Sequence, residues 1–379
     1  MTQIAKLDRK DLEIINALFK YGFGSSSRFI SEKIKIPDRT ISYRLKALKE
    51  KGLLRIYPFT NERRLGLGDC IIAMQESEKC KASQLYELLK SVPYFYLFSP
   101  TYGKYNGLLC FAIYSLESTH PKEYLEKLRM EGLITDYCIY DIRDHIISDP
   151  KLEFYDPQEG RWKWDWKKWE EIVNTTIQCK HHSENLFENL HLEDTPKISK
   201  FDEIDIKLLK TKKYGYHVEK VTLSNSELGK RLNLSGYQVR RRIQRLYDQG
   251  VLLGPLMNFY LPGIHDVHFI YLFIKIKDTE KSSKVLSLFC ELPHQVGIFV
   301  ESISTAVLYY RMRAEEFTEL LRGFELLKSH LESYFFQILP FYYDNRHHLY
   351  TAYNKDTNSW ETPLDEYLEL IEKFKENLS

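Results

Sequence analysis

The sequence predicts an α+β fold, in which two winged helix-turn-helix domains and two ferredoxin-like βαββαβ domains form a tandem internal repeat. The first observation is the stretch 234–250 (LSGYQVRRRIQRLYDQG), where apolar residues recur at helical spacing between four arginines. The second is a change to strand-like alternation after each basic helix. The third is a constant offset, because Gly250 follows Gly52 by 198 residues (250 − 52 = 198) and neighbouring positions match at the same distance. A period of this length indicates two copied domain pairs.

The N-terminal segment predicts three helices and a strand. The expected elements are helices over 7–19, 28–35 and 39–51 and a strand over 53–59. Asp8 is a good N-cap for the first helix, and Pro37 is well placed at the start of the third. The strand, with the polar turn Thr60–Arg64, suits a wing hairpin. Two short helices, a tight turn and a basic second helix are typical of the helix-turn-helix, in which that second helix enters the major groove.

The next block predicts a βαββαβ domain. Its expected elements are strands over 70–74, 94–99, 108–114 and 135–142 and helices over 82–90 and 121–131. In the following segment Trp162, Trp164 and Trp166 alternate, so they share one face if the chain is extended. We favour an aromatic cover for a sheet face, or the seam between the two halves, over base stacking.

The same pattern then restarts. The second βαββαβ block is expected as strands over 267–276, 297–302, 306–311 and 334–340 and helices over 283–291 and 315–329. The wing after the second basic helix, Pro255–Gly263, carries no charge, which suits packing against protein. The expected domains are winged helix-turn-helix 1 (1–64), ferredoxin-like domain 1 (65–148), an aromatic extension (149–177), a linker (178–199), winged helix-turn-helix 2 (200–263), ferredoxin-like domain 2 (264–344) and an aromatic and acidic C-terminal extension (345–379).

Composition places the chain among cytoplasmic globular proteins. Hydrophobic content is 43%, and no apolar run approaches the ~18–20 residues of a membrane span. The polar N-terminus is unlike a secretory signal, and the six cysteines show no CxxC pair, so we expect them reduced. The net charge is only +1, but residues 1–64 hold 15 Lys/Arg against 7 Asp/Glu and residues 200–253 hold 12 against 6. The basic excess therefore coincides with the two helix-turn-helix segments, as phosphate binding requires.

The predicted nucleic-acid partner is double-stranded DNA, contacted through both basic helices and the first wing. The candidate residues are Arg39, Thr40, Tyr43, Arg44, Lys46, Arg63, Arg64, Tyr237, Gln238, Arg240, Arg241, Arg242 and Arg245. The residues expected at base edges are Arg39, Thr40, Tyr43, Tyr237, Gln238 and Arg241. The remaining helix cations are expected at phosphates, and Arg63 and Arg64 at phosphate or in the minor groove. A solvated helix face, or protein–protein contact, is the alternative. For Arg44 and Arg242, a structural ion pair with Asp11 or Asp205 is an equal alternative.

Three stretches carry a family resemblance: LDRKDLEIINAL, ISYRLKALKEKGLL and TYGKYNGLLCFAIY. With them the chain resembles the Lrp/AsnC family of bacterial and archaeal transcription regulators. The resemblance implies pairing of the βαββαβ sheets, here within one chain as a pseudo-dimer, and two unequal half-sites ~34 Å apart. It also implies an effector site, if an effector binds, at Gly103, Lys104, Tyr105 and Asn106. Association of whole chains through the same sheets is left open.

Catalysis is not expected, and neither is a cofactor or metal. The chain has no P-loop, no GxSxG and no GxGxxG after a strand, and we interpret the pairs at 181–182 and 347–348 as loop histidines. One enzyme alternative stays open, because siroheme decarboxylases resemble the same architecture and depend on histidines near the βαββαβ sheet. The candidates would be His145, His265, His268 and His294. A third alternative is a factor that binds the transcription machinery through its aromatic tails.

Overall fold

The computed structural model describes residues 7–23, 25–118, 120–178, 185–215, 219, 223–259, 267–340, 349–361 and 364–376. It shows a mixed α+β chain, which confirms the predicted fold class. None of the described helices is long and apolar enough to cross a membrane.

The N-terminal domain is a three-helix unit followed by a strand. Its elements are α1 (Arg9–Tyr21), α2 (Ser27–Ile34), α3 (Asp38–Glu50) and β1 (Leu54–Thr60). Asp8 caps α1, and its side chain and that of Asp11 accept each other's backbone N–H groups in a capping box. Ile14, Ile30 and Ile41, one from each helix, are fully buried and form the small core between the helices.

The first sheet domain follows the predicted βαββαβ order. Its elements are β2 (Leu67–Glu76), α4 (Ala82–Leu89), β3 (Phe95–Gly103), β4 (Gly107–Ser115), α5 (Lys122–Met130) and β5 (Ile134–Ile142), followed by the short strand β6 (Asp144–Ile147). Alternate residues of β2 face opposite sides of the sheet. Ile72 and Met74 lie under α4 and α5, whereas Ile71 and Ala73 face the other half of the chain.

The second half repeats this order of elements after a two-stranded turn and a helix, which are β7 (Tyr155–Asp156), β8 (Arg161–Trp162) and α6 (Trp166–Gln178). The second helical unit comprises α7 (Glu203–Tyr214), α8 (Asn225–Leu232), α9 (Gly236–Asp248) and β9 (Leu252–Phe259). The second sheet domain comprises β10 (Val267–Ile276), α10 (Ser282–Cys290), β11 (Gly297–Ser302), β12 (Thr305–Arg313), α11 (Ala314–Phe324) and β13 (Leu331–Leu339). The last elements are β14 (Tyr353–Asn354), β15 (Ser359–Trp360) and α12 (Leu364–Glu376).

The two sheet domains join into one nine-stranded sheet of order β5-β2-β4-β3-β13-β10-β12-β11-β6. The halves pair where β13 meets β3 and again where β6 meets β11. Because β5 runs on into β6, the sheet folds over and its two inner faces share one hydrophobic core. Aromatic rings fill this layer, with Phe111 and Phe299 at 5.6 Å between ring centroids and Tyr140 and Phe273 at 5.0 Å.

The predicted wing hairpin is wrong. β1 pairs antiparallel with β9 of the other half, from Leu54 opposite Phe259 onward, and no second strand of its own follows it. A short 3-10 helix, Glu62–Leu65, follows instead, because the Asn61 side chain accepts the N–H of Arg64 and Gly66 ends the turn at φ 78°. The two wing strands therefore tie the helical units to each other.

Each half covers the helices of the other. α6 packs on α10 and α11, where Trp169 is fully buried and its Nε1 donates to the carbonyl of Leu288 at 2.9 Å. α12 packs on α4 and α5 through Tyr367 and Ile371. The aromatic stretch that contains Trp162 thus lies at the seam between the halves.

Candidate nucleic-acid interface

The two basic helices, α3 and α9, are built to the same plan. Each has 13 residues, and both bounds of α9 follow those of α3 by 198 positions (236 − 38 and 248 − 50). Ile41 and Leu48 are buried in α3, and Val239 and Leu246 are buried at the matching positions of α9. The same faces therefore point to the core and the same faces point to solvent in both copies.

Each basic helix forms ion pairs with the first helix of its own unit. Arg44 Nη1 donates to Asp8 at 2.8 Å and to Asp11 at 2.7 Å. Burial opposes the charge of Asp8, but its hydrogen bonds with the backbone and with Arg44 outweigh burial and lower the pKa of Asp8. This clamp fixes α3 against the cap of α1.

The second copy repeats the clamp. Arg242 Nη1 lies 2.8 Å from Asp202 and 2.9 Å from Asp205, and Arg245 also pairs with Asp205, whose side chain is fully buried. These ion pairs match the structural alternative expected for Arg44 and Arg242, and Arg245 joins them, whereas phosphate contact by the three arginines stays a prediction. Two carboxylates brought together by a capping box need a cation beside them, and these arginines supply it.

The solvent face of each helix keeps its other cations. Tyr43 and Tyr237 are 73% and 70% exposed, and Arg39, Arg240 and Arg241 are exposed as well. No ion pair joins these three arginines to another residue that the structure describes. Their charge is therefore available to an outside partner.

The other predicted positions on these helices are Lys46, Thr40 and Gln238. Lys46 is exposed but lies 3.8 Å from Glu50, a pair too loose and solvated to hold it. Thr40 is half-buried. Gln238 Oε1 accepts the N–H of Ser235 at 2.8 Å, which closes the capping box of α9. A bidentate contact of Gln238 with adenine would break that hydrogen bond. In this structure the Gln238 side chain therefore caps the start of α9.

The first-wing arginines face the interdomain segment. Arg63 Nη2 donates to the carbonyls of Glu193 and Asp194 at 2.5 and 3.0 Å, and Arg64 Nη1 donates to the carbonyl of Lys197 at 3.2 Å. Burial, followed by the charge of Arg143, lowers the pKa of Arg63. Because β1 pairs across the halves, these side chains contact the linker, and DNA contact by Arg63 and Arg64 stays a prediction.

The predicted effector loop lies where the two sheets join. Gly103 has φ 148°, and a Cβ there would overlap the carbonyl oxygen of Phe336. Tyr105 is buried, and its carbonyl accepts Gln337 Nε2 at 3.0 Å. Lys104 lies over a ring of β13, and Asn106 Oδ1 accepts the N–H of Gly103 at 3.2 Å. These contacts place the loop at the junction between the two sheet domains, and its effector role stays a prediction.

Of the four histidines of the enzyme alternative, the three that the structure describes lie in different surroundings. His145 lies on β6 between Phe59 and Phe299, at centroid distances of 5.0 and 5.4 Å, and burial lowers its pKa to about 4. His294 is 2% exposed and lies 3.2 Å from Glu316. His268 is exposed on β10. His265 and both histidine pairs lie outside the described residues.

A buried polar cluster escaped the sequence analysis. Glu62 accepts hydrogen bonds from Lys213, from Thr60 at 2.6 Å and from Tyr350 at 2.9 Å. Burial opposes the charge of Glu62, but Lys213 outweighs it and lowers the pKa of Glu62. The cluster ties the end of β1 to α7 across 151 residues, a separation that no local pattern reveals.

Asp69 lies beside this cluster on β2 and accepts Tyr96 OH at 3.0 Å. Burial, followed by the negative charge of Glu62, raises the pKa of Asp69 to about 8. The signal in the sequence is a lone carboxylate at the start of the apolar run DCIIAM. The raised pKa favours the protonated form of Asp69 at neutral pH.

Comparison with known proteins gives one result for the N-terminal domain and another for the whole chain. Residues 7–55 match the model of a winged helix-turn-helix DNA-binding family. No curated protein matches the sequence significantly. The crystal structure of the siroheme decarboxylase NirDL matches 96% of this chain and 99% of its own, at 12% identity and a TM-score of 0.54. Its complex with an iron-uroporphyrin III analogue matches 97% and 100%, at 12% identity and 0.52. AsnC of E. coli matches 39% of this chain and 97% of its own, at 13% identity and 0.29.

The N-terminal domain thus matches a winged helix-turn-helix DNA-binding family, and the whole chain shares the fold of NirDL. The expectation that the chain is not an enzyme is contradicted, because the two structures that it matches over nearly its whole length are those of an enzyme. The resemblance to siroheme decarboxylases had left this enzyme alternative open, although no catalytic motif in the sequence supported it.

Proposed function

We propose that the chain is a transcription regulator that binds double-stranded DNA in a sequence-specific manner through α3 and α9. The observation that carries the proposal is that the arginines of these helices fall into two groups, one paired with aspartates and one exposed to solvent. Arg44 and Arg242 are tied to aspartates, whereas Arg39, Arg240 and Arg241 face solvent and have no acidic partner among the described residues. A helix with a structural role alone would need only the arginines that pair with aspartates. Contact with nucleic acid needs exposed arginines without acidic partners.

The family match of residues 7–55 supports the same function for the first unit. The second unit has the same element order, the same clamp and a helix of the same length, which supports an internal duplication of an Lrp/AsnC-like unit. Pairing of β1 with β9 and the joined sheets supports a pseudo-dimer within one chain. In this proposal one chain presents two recognition helices without a second subunit.

The test is a salt titration of DNA affinity. Each phosphate contact contributes about −0.9 to the slope of log K against log[salt]. The variant Arg240→Ala with Arg241→Ala is expected to bind more weakly and to have a slope smaller in magnitude by up to about 2. The matched control removes two exposed lysines of the first sheet domain, Lys79→Ala with Lys122→Ala, and keeps the wild-type slope. Equal slopes for both double variants would contradict the proposal.

A second candidate function follows from the whole-chain fold. The likeness to NirDL supports an enzyme that acts on a tetrapyrrole in the layer between the sheets. His145 is the histidine of that layer, since its ring contacts Phe299, which in turn contacts Phe111 of the opposite sheet. With its pKa lowered to about 4 by burial, His145 is neutral at pH 7, the form in which imidazole acts as a ligand.

An absorbance titration with iron-uroporphyrin III tests this candidate. A shift of the porphyrin band that His145→Ala abolishes and His268→Ala preserves is the expected result, because His268 lies exposed on the outer part of β10. An unchanged porphyrin spectrum with the wild-type chain rejects this candidate and leaves DNA binding untouched.

A further inference from the structure

Each of the two recognition helices presents an arginine and a tyrosine four residues apart on its outward face, but the order of the two is reversed. At the 198-residue offset, Arg39 of α3 corresponds to Tyr237 of α9, and Tyr43 corresponds to Arg241 (237 − 39 = 198; 241 − 43 = 198). All four side chains are exposed. In α3 the arginine precedes the tyrosine by one turn, whereas in α9 the tyrosine precedes the arginine.

The reversal changes which side chain stands at each outward position but leaves the helix in the same position within its unit. Arg44 and Arg242 hold the two helices to equivalent aspartates, through hydrogen bonds of 2.7 to 2.9 Å. The two helices also begin and end at equivalent positions. A difference between the sequences that they recognise must therefore come from the side chains on the outer face.

We infer that the partner is a non-palindromic operator whose two half-sites carry a guanine at unequal distances from the centre. This inference rests on the proposed DNA-binding function. Arginine reads guanine O6 and N7 in the major groove, whereas the tyrosine ring contacts a thymine methyl or its hydroxyl contacts a phosphate. The position of the arginine therefore sets the position of the guanine.

The size of the displacement follows from helix and duplex geometry. Residues four apart lie about 6 Å apart along a helix axis, at 1.5 Å per residue. Successive base pairs rise about 3.4 Å, so moving the arginine by one turn moves its guanine by about two base pairs. The operator then has a direction, and the chain binds it in one orientation.

A third pair of positions strengthens the asymmetry. Ser42 of α3 donates to Ser27 of α2 at 2.9 Å, whereas its counterpart in α9 is Arg240, which faces solvent. At this position α9 therefore offers a cation to a phosphate where α3 offers none.

The experiment is selection of random-sequence DNA duplexes by the full chain, at two salt concentrations. The wild-type chain is expected to select two half-sites about one helical turn apart whose guanines depart from mirror symmetry by about two base pairs. The exchange variant, Tyr237→Arg with Arg241→Tyr, restores the order of α3 and is expected to move the second guanine to the mirror position. It keeps the composition and charge of the exposed face, and its thermal unfolding by circular dichroism should match the wild type.

The reciprocal variant, Arg39→Tyr with Tyr43→Arg, makes α3 resemble α9 and is expected to move the first guanine instead. Loss of either guanine from the operator is expected to weaken wild-type binding about 10- to 100-fold. A palindromic wild-type motif, or guanines that stay in place in both exchange variants, overturns the inference while DNA binding stands. Absence of salt-dependent binding to any duplex overturns the proposed function and the inference together.

Discussion

Replacing Arg242 with methionine separates a structural arginine from a DNA-contacting one. Arg242→Met keeps the length and apolar stem of the side chain but removes the cation that lies 2.8 Å from Asp202 and 2.9 Å from Asp205. Removing one partner of a buried ion pair costs about 3–5 kcal/mol. Arg242 retains 22% of its side-chain exposure and Asp205 keeps Arg245, so we expect a loss of about 2–3 kcal/mol in the free energy of unfolding.

The assay is urea unfolding followed by circular dichroism, with a salt titration of DNA affinity on the same protein. Arg242→Met should lower the free energy of unfolding and keep the wild-type salt slope under conditions where it is folded. Arg240→Ala should do the reverse, with unchanged stability and a slope smaller in magnitude by about 0.9. Arg44→Met is the matched change in the first copy. A stable Arg242→Met variant with a reduced salt slope would refute the clamp.

The pH dependence of the same variant gives an independent check. Burial opposes the charge of Asp202, but the hydrogen bonds from Arg242 and from the N–H of Asp205 outweigh it and lower the pKa of Asp202. A lowered carboxyl pKa contributes stability that is present above the unfolded value of about 3.9 and is lost as the pH falls through the folded value. Wild-type stability should therefore fall more steeply than that of Arg242→Met between about pH 4 and pH 2.

Three further changes test other parts of the structure by urea unfolding. Gly323→Ala should destabilise by about 1–3 kcal/mol, because its Cβ would overlap the indole of Trp169, whereas Gly297→Ala, with its nearest atom at 3.7 Å, should cost less. Asp69→Asn should gain stability relative to wild type as the pH rises from about 4 to 8, because the folded pKa near 8 makes the wild type lose stability across that window. Gly103→Ala should destabilise the sheet junction whether or not an effector is added; an effect only on effector response would contradict the assignment of this loop.

Much of the local structure was predictable because helix and strand periods are local. The bounds predicted for β10 and β11 are those of the structure, and Asp8 caps α1 as its position before the apolar stripe indicated. The family match of residues 7–55 bears out the helix-turn-helix of the first unit.

The pairing of these elements was not predictable, because a strand pattern shows which face is buried and not which strand lies beside it. β1 pairs with β9 rather than with a neighbour in sequence, and α6 and α12 each cover the helices of the opposite half. The expected wing hairpin failed for this reason.

The arginines show where sequence and tertiary structure divide. The sequence by itself determined that two helices carry a basic face at an offset of 198 residues, because spacing along a helix places side chains on faces. Only the tertiary structure decided that Arg44, Arg242 and Arg245 meet aspartates from another helix while Arg39, Arg240 and Arg241 meet solvent. The physical reason is that an ion pair depends on distance in space, and its partners here lie 33 to 40 residues apart along the chain.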